Sequence, residues 1–323
     1  MRDAAVDITI VVPVFNERDS LQPLHASLTS ILKGVGRTYE IIFVDDGSDD
    51  GTEGALEDLV RSDAATRALM LRRNFGKSAA LAAGFDDAAG RVVITLDGDL
   101  QDDPDEIPGF LEMLDEGYDL VSGWKKQRRD PVTKRWPSRC FNFVTSKVTG
   151  IPLNDFNCGF KAYRRSVVES IELYGELHRF VPVLAARQGF KIGEKTVRHH
   201  PRRYGKTKFG AARFLNGFLD LLTVMFMSSN QRSPLHVFGR IGVLFLSGGI
   251  LLNLYMVYIW ILEHGLRVRP LLLFGVILVI LGIQFMSIGL LAELVAGLRR
   301  DRPYAIKKSL PGEFPPGLKG GGG

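Results

Sequence analysis

Ile94-Thr95-Leu96-Asp97-Gly98-Asp99-Leu100-Gln101-Asp102 closes the apolar run that begins at Val92, and its reading decides the fold. A short apolar run cut off by turn-forming residues reads as a buried strand. In an open parallel sheet, ligands lie beyond the carboxyl ends of the strands, which puts Asp97 and Asp99 in a crevice. Two carboxylates one residue apart, with Gly98 letting the backbone turn, suit a hard divalent cation bridging phosphate oxygens. The same residues also suit a plain acidic turn, so the surrounding sequence has to decide between the two.

Upstream, the pattern recurs twice. Ile8–Val14 reads as a first strand ending at Asn16-Glu17, with Asp19 or Ser20 as the cap of a helix running to about Leu32. Glu40–Val44 reads as a second strand ending at Asp45-Asp46-Gly47-Ser48, although Asp, Gly and Ser are also the usual turn formers. Thr52–Arg61 and Lys77–Ala89 read as helices on either side of a strand at Ala68–Leu71. Pro104 opens a helix to about Glu116, and Leu120–Ser122 reads as a further strand. Strand and helix alternating at this spacing predict a parallel, doubly wound α/β sheet. Three acidic strand ends on one edge make a common crevice. Such a crevice repels a bare anion, so it implies a metal beside donors for ribose and base.

Composition adds a second region. The 323 residues carry 41 Lys and Arg against 36 Asp and Glu, for a net charge of +5. That length holds a soluble domain of about 200 residues and something more. The two cysteines, Cys140 and Cys158, show neither metal spacing nor a disulfide framework, which fits a reducing compartment. Met1–Asp7 is polar and the apolar run after it stops at Pro13, so no secretory signal is visible. From Leu235 to Leu298 the chain turns strongly apolar. Ile241–Leu262 and Leu271–Ala292 carry no charge, and each is long enough as a helix to cross a hydrocarbon core of roughly 30 Å. Tyr255, Tyr258 and Trp260 sit where interfacial anchors belong. The connector Glu263–Pro270 holds the cations Arg267 and Arg269, whereas Arg232, Arg240, Arg299, Arg300, Arg302, Lys307 and Lys308 flank the pair. The positive-inside rule then places both ends in the cytoplasm. Just before this region, Phe214, Phe218, Leu221, Leu222 and Met225 fall at helical spacing, opposite Arg213, Asn216 and Asp220. That pattern predicts an amphipathic helix in the membrane interface. Basic clusters at Lys125–Arg139, Lys191–Lys208 and Arg299–Lys308 accordingly favour an anionic bilayer surface over nucleic acid.

Five motifs occur in order: Pro13-Val14-Phe15-Asn16-Glu17, Val44-Asp45-Asp46-Gly47-Ser48, Asn74-Phe75-Gly76-Lys77, Asp97-Gly98-Asp99-Leu100-Gln101 and Asn154-Asp155-Phe156-Asn157-Cys158-Gly159-Phe160-Lys161. Together they resemble the family 2 glycosyltransferases, and within them the polyisoprenyl-phosphate (dolichol-phosphate mannose synthase-like) group, over about residues 6–300. The resemblance implies a GT-A fold, Rossmann-like with a mostly parallel sheet. It also implies a nucleotide-diphosphate sugar donor, an inverting transfer and a divalent metal, Mg2+ or Mn2+. It assigns Pro13, Val14, Glu17, Asp45, Lys77, Asp97 and Gly98 to the nucleotide sugar, and Asp97, Asp99 and Gln101 to the metal. Arg128, Lys134 and Ser138 would contact the acceptor phosphate. Asp155 would face the acceptor as base, and with Asp99 it makes the expected catalytic pair. A phosphate monoester has a second pKa near ~6, so its oxygen is already a nucleophile and Asp155 can serve to orient it. The processive relatives carry Gln-x-x-Arg-Trp; here Arg135-Trp136 lacks the preceding Gln, which argues against polysaccharide synthesis.

Arg203, Lys206 and Lys208, three cations just ahead of the membrane region, read as a clamp for a lipid phosphate. His178 and His199-His200 are the other candidate bases; lacking ligand spacing, they read as surface or interface residues. The expected organisation is a cytoplasmic GT-A domain at 1–208, a juxtamembrane amphipathic segment at 209–234, two transmembrane helices within 235–298, and a basic, then disordered cytoplasmic tail at 299–323. The expected reaction moves a sugar from a nucleotide donor, UDP-glucose being typical, to polyprenyl (undecaprenyl) phosphate at a bacterial inner membrane. The partners are then the two substrates and the bilayer, and the resemblance suggests a homo-oligomer, a tetramer. A different acceptor, or a non-catalytic scaffold of the same fold, are the alternatives; the intact acids argue against a scaffold.

Overall fold

β-Branched and apolar residues run almost unbroken through Ile8–Val14 (β1) and Tyr39–Asp45 (β2), because both faces of these strands are covered. In the computed structural model, residues 6–126, 142–143, 145–147, 149–173, 175, 177–201, 234–263, 270–298 and 306–310 are described. The chain divides into two units, Met1–Met225 with Arg302–Gly323, and Phe226–Asp301.

In the first unit, β1, β2, Thr66–Leu71 (β3), Val92–Thr95 (β4), Leu120–Trp124 (β5), Lys161–Arg164 (β6), Ile192–Thr196 (β7) and Ile306–Leu310 (β8) form one sheet in the order β7-β5-β6-β4-β1-β2-β3-β8. The pairs β1–β2, β1–β4, β2–β3 and β5–β7 are parallel, as the βα alternation predicts. Three pairs are antiparallel. β6 lies between β4 and β5 and runs against both, and β8 runs against β3. Neither β6, β7 nor β8 was foreseen from the sequence. Each is only four or five residues long, too short for a period to show. β8 also corrects the expectation for 299–323, since Ile306–Leu310 returns from beyond the apolar region to become an edge strand.

Side chains alternate between two cores. Ile10 and Val12 of β1 face Leu21, Leu24 and Leu28 of Arg18–Val35 (α1), with Leu56 of Thr52–Ser62 (α2) and Phe110 of Ile107–Asp115 (α4). Val11 faces Ala80 and Leu81 of Lys77–Asp87 (α3), with Val167 of Arg165–Ser170 (α5) and Val183 of Val181–Arg187 (α6). α1 is capped at Glu17, two residues before Asp19 and three before Ser20, and Glu17 makes no side-chain cap bond. Ser20 is inside the first turn instead, its hydroxyl 2.7 Å from Glu17 O and 2.6 Å from Gly98 O, so it fastens α1 to the Asp97–Asp99 turn.

The second unit is a helix pair, Pro234–Glu263 (α7) and Pro270–Leu298 (α8). Within them, Phe238–Leu262 and Pro270–Ala292 are long and apolar enough to cross a membrane, with only 17% and 11% of their most apolar stretches buried. A soluble core helix would bury far more. The two helices meet at glycines. A Cβ added to Gly242 would lie 2.8 Å from Gly282 O, and one added to Gly249 would lie 2.8 Å from Gly275 O. Small residues of this kind let helix backbones approach where no hydrophobic drive exists between them.

Candidate active site

β4, β1 and β2 lie side by side in parallel register and stop at one edge, with Val14 opposite Asp45 and Val11 opposite Thr95. The edge therefore collects Pro13, Val14, Glu17, Asp45, Lys77, Asp97, Gly98, Asp99 and Gln101.

The two acids at the end of β2, Asp45 and Asp46, have different tasks. Asp46 accepts hydrogen bonds from the Phe75 and Gly76 N–H groups at 2.7 and 2.9 Å, which fixes the loop that leads into α3 and aims Lys77. Gly47 sits at φ 73, and a Cβ there would lie 2.4 Å from the Arg73 carbonyl carbon, so the close approach of that loop requires glycine. Asp45 accepts from the Ser48 N–H at 3.2 Å and from the Ser48 hydroxyl. Burial pushes both carboxyls above their ordinary range in spite of these bonds. Glu40, buried at the start of β2, shows what a purely structural carboxylate looks like. It is satisfied by Thr9 Oγ1 and Ala89 N, each at 2.7 Å, and by Arg67 at 3.1 Å.

Beyond β4, the Lys77 ammonium pairs with Asp97. Burial alone would raise the Asp97 carboxyl, but Lys77 and Lys125 outweigh it and hold the group well below the usual carboxylate range. Asp97 N–H donates to Asp102 at 3.3 Å, and Asp102 pairs with Lys125 at 2.6 Å. Lys125 opens the basic cluster expected to face a bilayer surface. Its side chain is only 10% exposed and turned inward instead, and Asp102 with Asp97 overcomes that desolvation to keep it charged. Asp99, 8% exposed, accepts from the Gln101 N–H at 3.2 Å. A Cβ on Gly98 would meet Val14 Cγ1 at 2.7 Å, so this turn is pressed onto the end of β1.

The Asp155 turn reaches the same edge through Gly159, where a Cβ would lie 2.5 Å from Asp97 Oδ1. Thr95 Oγ1 donates to Gly159 O at 2.8 Å and holds the approach. Asp155 is 2% exposed. Next to it, burial pushes the Cys158 thiol up to about 12, which makes it a packing group. Lys161 is buried between these carboxylates and donates to Cys158 O; burial lowers its ammonium from the usual lysine range.

The histidines divide: His200, its side chain 45% exposed, keeps the expected surface placement, whereas His178 is drawn inward. His178 Nδ1 lies 2.9 Å from Ser78 Oγ, and burial with the nearby Lys77 drives its pKa well down, leaving it neutral. His200 N–H donates to Gln101 O at 2.9 Å, and its ring is 3.1 Å from Asp103; the His199 backbone bridges to Asp102. Arg198 joins Asp103 and Glu106 at 3.3 and 3.0 Å, and Lys195 pairs with Glu106. Sequence reasoning missed these pairings, although an acidic run at 102–106 and a basic run at 195–200 were both visible. Arg128, Lys134, Ser138, Arg203, Lys206, Lys208 and the amphipathic stretch from Phe214 to Met225 lie outside the described residues.

The donor set fits a divalent cation of one kind. Among the described residues no group of three or more His, Cys, Asp or Glu could enclose a metal. Asp97 and Asp99, held at a strand end by Gly98, fit an ion whose coordination is completed by diphosphate oxygens and water, as Mg2+ is commonly bound.

The sequence model described as glycosyl transferase family 2 matches residues 9–172. A dodecaprenyl-phosphate galacturonate synthase from Rhizobium johnstonii is 38% identical over 301 residues, covering 90% of this chain and 88% of its own. An undecaprenyl-phosphate 4-deoxy-4-formamido-L-arabinose transferase from Pseudomonas paraeruginosa is 34% identical over 330 residues, covering 98% and 94%. Among solved structures, mannosyl-3-phosphoglycerate synthase from Rubrobacter xylanophilus superposes with a TM-score of 0.55 at 14% identity, over 71% of this chain and 77% of its own. Glucosyl-3-phosphoglycerate synthase from Mycobacterium tuberculosis, in complex with Mn2+ and UDP-glucose, gives 0.53 at 19% identity, over 69% and 80%. At such identities the superpositions speak for the fold alone.

Proposed function

The chain belongs to glycosyl transferase family 2, and from that premise we propose that it transfers a sugar from a UDP-sugar to a polyprenyl phosphate at the cytoplasmic face of a membrane. The observation that carries this reading is the meeting of the Asp97–Asp99 turn with the Asp155 turn at Gly159. A donor diphosphate and an acceptor phosphate would then come together at one sheet edge. Asp45 and the end of β1 would bind the nucleotide, and Lys77, held by Asp46, would neutralise negative charge beside Asp97. Asp97 and Asp99, with Gln101 beside them, would hold a divalent cation, which when bound offsets charge on the leaving diphosphate. Asp155 would orient an acceptor oxygen that is already nucleophilic at neutral pH. Positioning and fixed charge would supply most of the rate.

The acceptor assignment draws on the relatives, both named for polyprenyl-phosphate substrates, and on the two exposed apolar helices. The route of the chain supports a hairpin crossing. It leaves the sheet unit before α7 and rejoins the same sheet as β8, so two crossings must return it to the face it left. With Cys140 and Cys158 replaced, a cysteine at Gly265 should be labelled from outside intact cells and one at Gly320 spared; the reverse pattern sinks the topology.

Purified protein in detergent should be offered UDP-glucose, UDP-galacturonate and UDP-4-amino-arabinose derivatives, with undecaprenyl phosphate as acceptor. One of these should yield a lipid-linked sugar. Calorimetry with UDP and Mg2+ tests the crevice separately: Asp99→Ala should lose metal-dependent binding while staying folded, and unchanged binding overturns the cation role.

A further inference from the structure

We infer that Glu194 is a positioning residue for the transfer, locking the Asn154–Asp155 turn so that the Asp155 carboxylate stays aimed at the acceptor. The inference rests on the reading of Asp155 as the acceptor-facing group.

Glu194 lies on β7, opposite Ser122 of β5 in parallel register, so its backbone is held by the sheet. Its Oε1 accepts from two successive peptide N–H groups, Asn154 at 2.7 Å and Asp155 at 3.1 Å. Its Oε2 accepts from Asn154 Nδ2 at 2.6 Å. Three donors thus converge on one carboxylate, and charge-assisted bonds of this type are the stronger ones. The turn is also gripped elsewhere. Asn142 Nδ2 donates to Asn154 O at 2.9 Å, and Asn157 Nδ2 donates to Asn142 Oδ1 at 3.3 Å. Asn157 N–H closes on Asp155 Oδ1 at 3.1 Å.

A loop needing only stability has cheaper solutions than a partly buried acid. Burial pushes the Glu194 carboxyl up, and the three donors from this turn work against that. The charge is spent on aiming two consecutive peptide groups, and the second belongs to Asp155. Asn142 further ties the turn to the residues that follow the basic segment 127–141, where the family resemblance places acceptor contacts.

The test uses the full chain in micelles, with undecaprenyl phosphate and the UDP-sugar that turns over in the screen above. Glu194→Ala should lower kcat about 10- to 100-fold, as a displaced reacting group does, while the Kd for UDP with Mg2+ moves less than about two-fold. Glu194→Gln should recover to within about three-fold of wild type, since its amide oxygen still accepts both peptide N–H groups. In an Asp155→Asn background Glu194→Ala should cost less than about two-fold more, because the two act as one unit. Wild-type kcat in Glu194→Ala, or its full loss repeated on top of Asp155→Asn, overturns the inference. Wild-type kcat in Asp155→Asn alone overturns the reading beneath it. If Glu194→Ala loses its thermal transition, Asn154→Ala removes only the 2.6 Å side-chain bond and should lower kcat about three-fold; no change there also overturns it.

Discussion

Around the crevice of the sheet unit, positions are set by charge: Asp46 on the 75–76 loop, Lys77 on Asp97, Lys125 on Asp102. Between α7 and α8 they are set by missing side chains, at Gly242, Gly249, Gly275 and Gly282. The contrast follows from what each region must handle. A site for two phosphorylated substrates needs fixed charges, and buried charges must be paired or they cost several kcal/mol each. A helix pair in lipid gains little from apolar contact as such, so close backbone packing is what remains.

The comparison breaks most visibly at Gly282. A Cβ there would lie 2.6 Å from Leu246 N and 2.8 Å from Gly242 O, and neither backbone atom can move aside. Gly282→Leu should part the two helices, costing about 3 kcal/mol or more, and disulfide trapping between cysteines placed on α7 and α8 should fail. Binding of UDP with Mg2+ should persist, since the crevice residues named above all belong to the sheet unit; its loss would mean that donor binding draws on the helix pair as well.

Lys77→Met probes the other side. Asp97 would lose its counterion, and donor affinity should weaken about 10- to 100-fold, the scale of a charge-assisted hydrogen bond. A titration of UDP with Mg2+ checks it, and the melting temperature should fall only modestly, because the pair is partly exposed and Lys125 still faces Asp97.

A smaller effect tests the charge economy by pH. Asp45 and Asp46 have carboxyls raised by burial, so their ionised forms destabilise the ligand-free protein at neutral pH. That cost is relieved as pH falls from neutral toward the ordinary carboxylate range. Asp97 acts in the opposite sense: its lowered carboxyl contributes stability above the unfolded value, which is lost only as pH drops below that range. His178, kept neutral in the fold, opposes this relief, because it takes up a proton only on unfolding as pH falls through the ordinary histidine range. The carboxyl contribution is therefore read as a difference: from pH 7 to pH 5.5, Asp45→Asn should lose more melting temperature than wild type, while also losing donor binding. An equal change in the two proteins would put the cost elsewhere.

The smallest expected effect is none. With its thiol pushed up to about 12 by burial, Cys158 should resist iodoacetamide at pH 8 in a Cys140→Ser protein until denaturant is added. Rapid alkylation of the folded protein would show that the Gly159 approach opens.

Much of this architecture was legible before any coordinates. β1, β2 and β4 were placed to within a residue or two because long β-branched runs end in acids, and the helix pair was plain from its lack of charge. The sequence also put Asp45, Asp97 and Asp99 at strand ends on one edge, and the parallel register of β2, β1 and β4 brings those strand ends side by side. It misplaced Lys125 and His178, because a basic or polar residue in a local run looks solvated whatever waits for it across the sheet. Period, charge count and strand ends are local properties, and those the chain determined alone. Which acid meets Lys125, which turn Glu194 grips, and that β8 closes against β3 were decided only by the tertiary structure. Those contacts depend on the antiparallel insertion of β6 and the register of β7, and no local repeat encodes the crossing of a chain between distant strands.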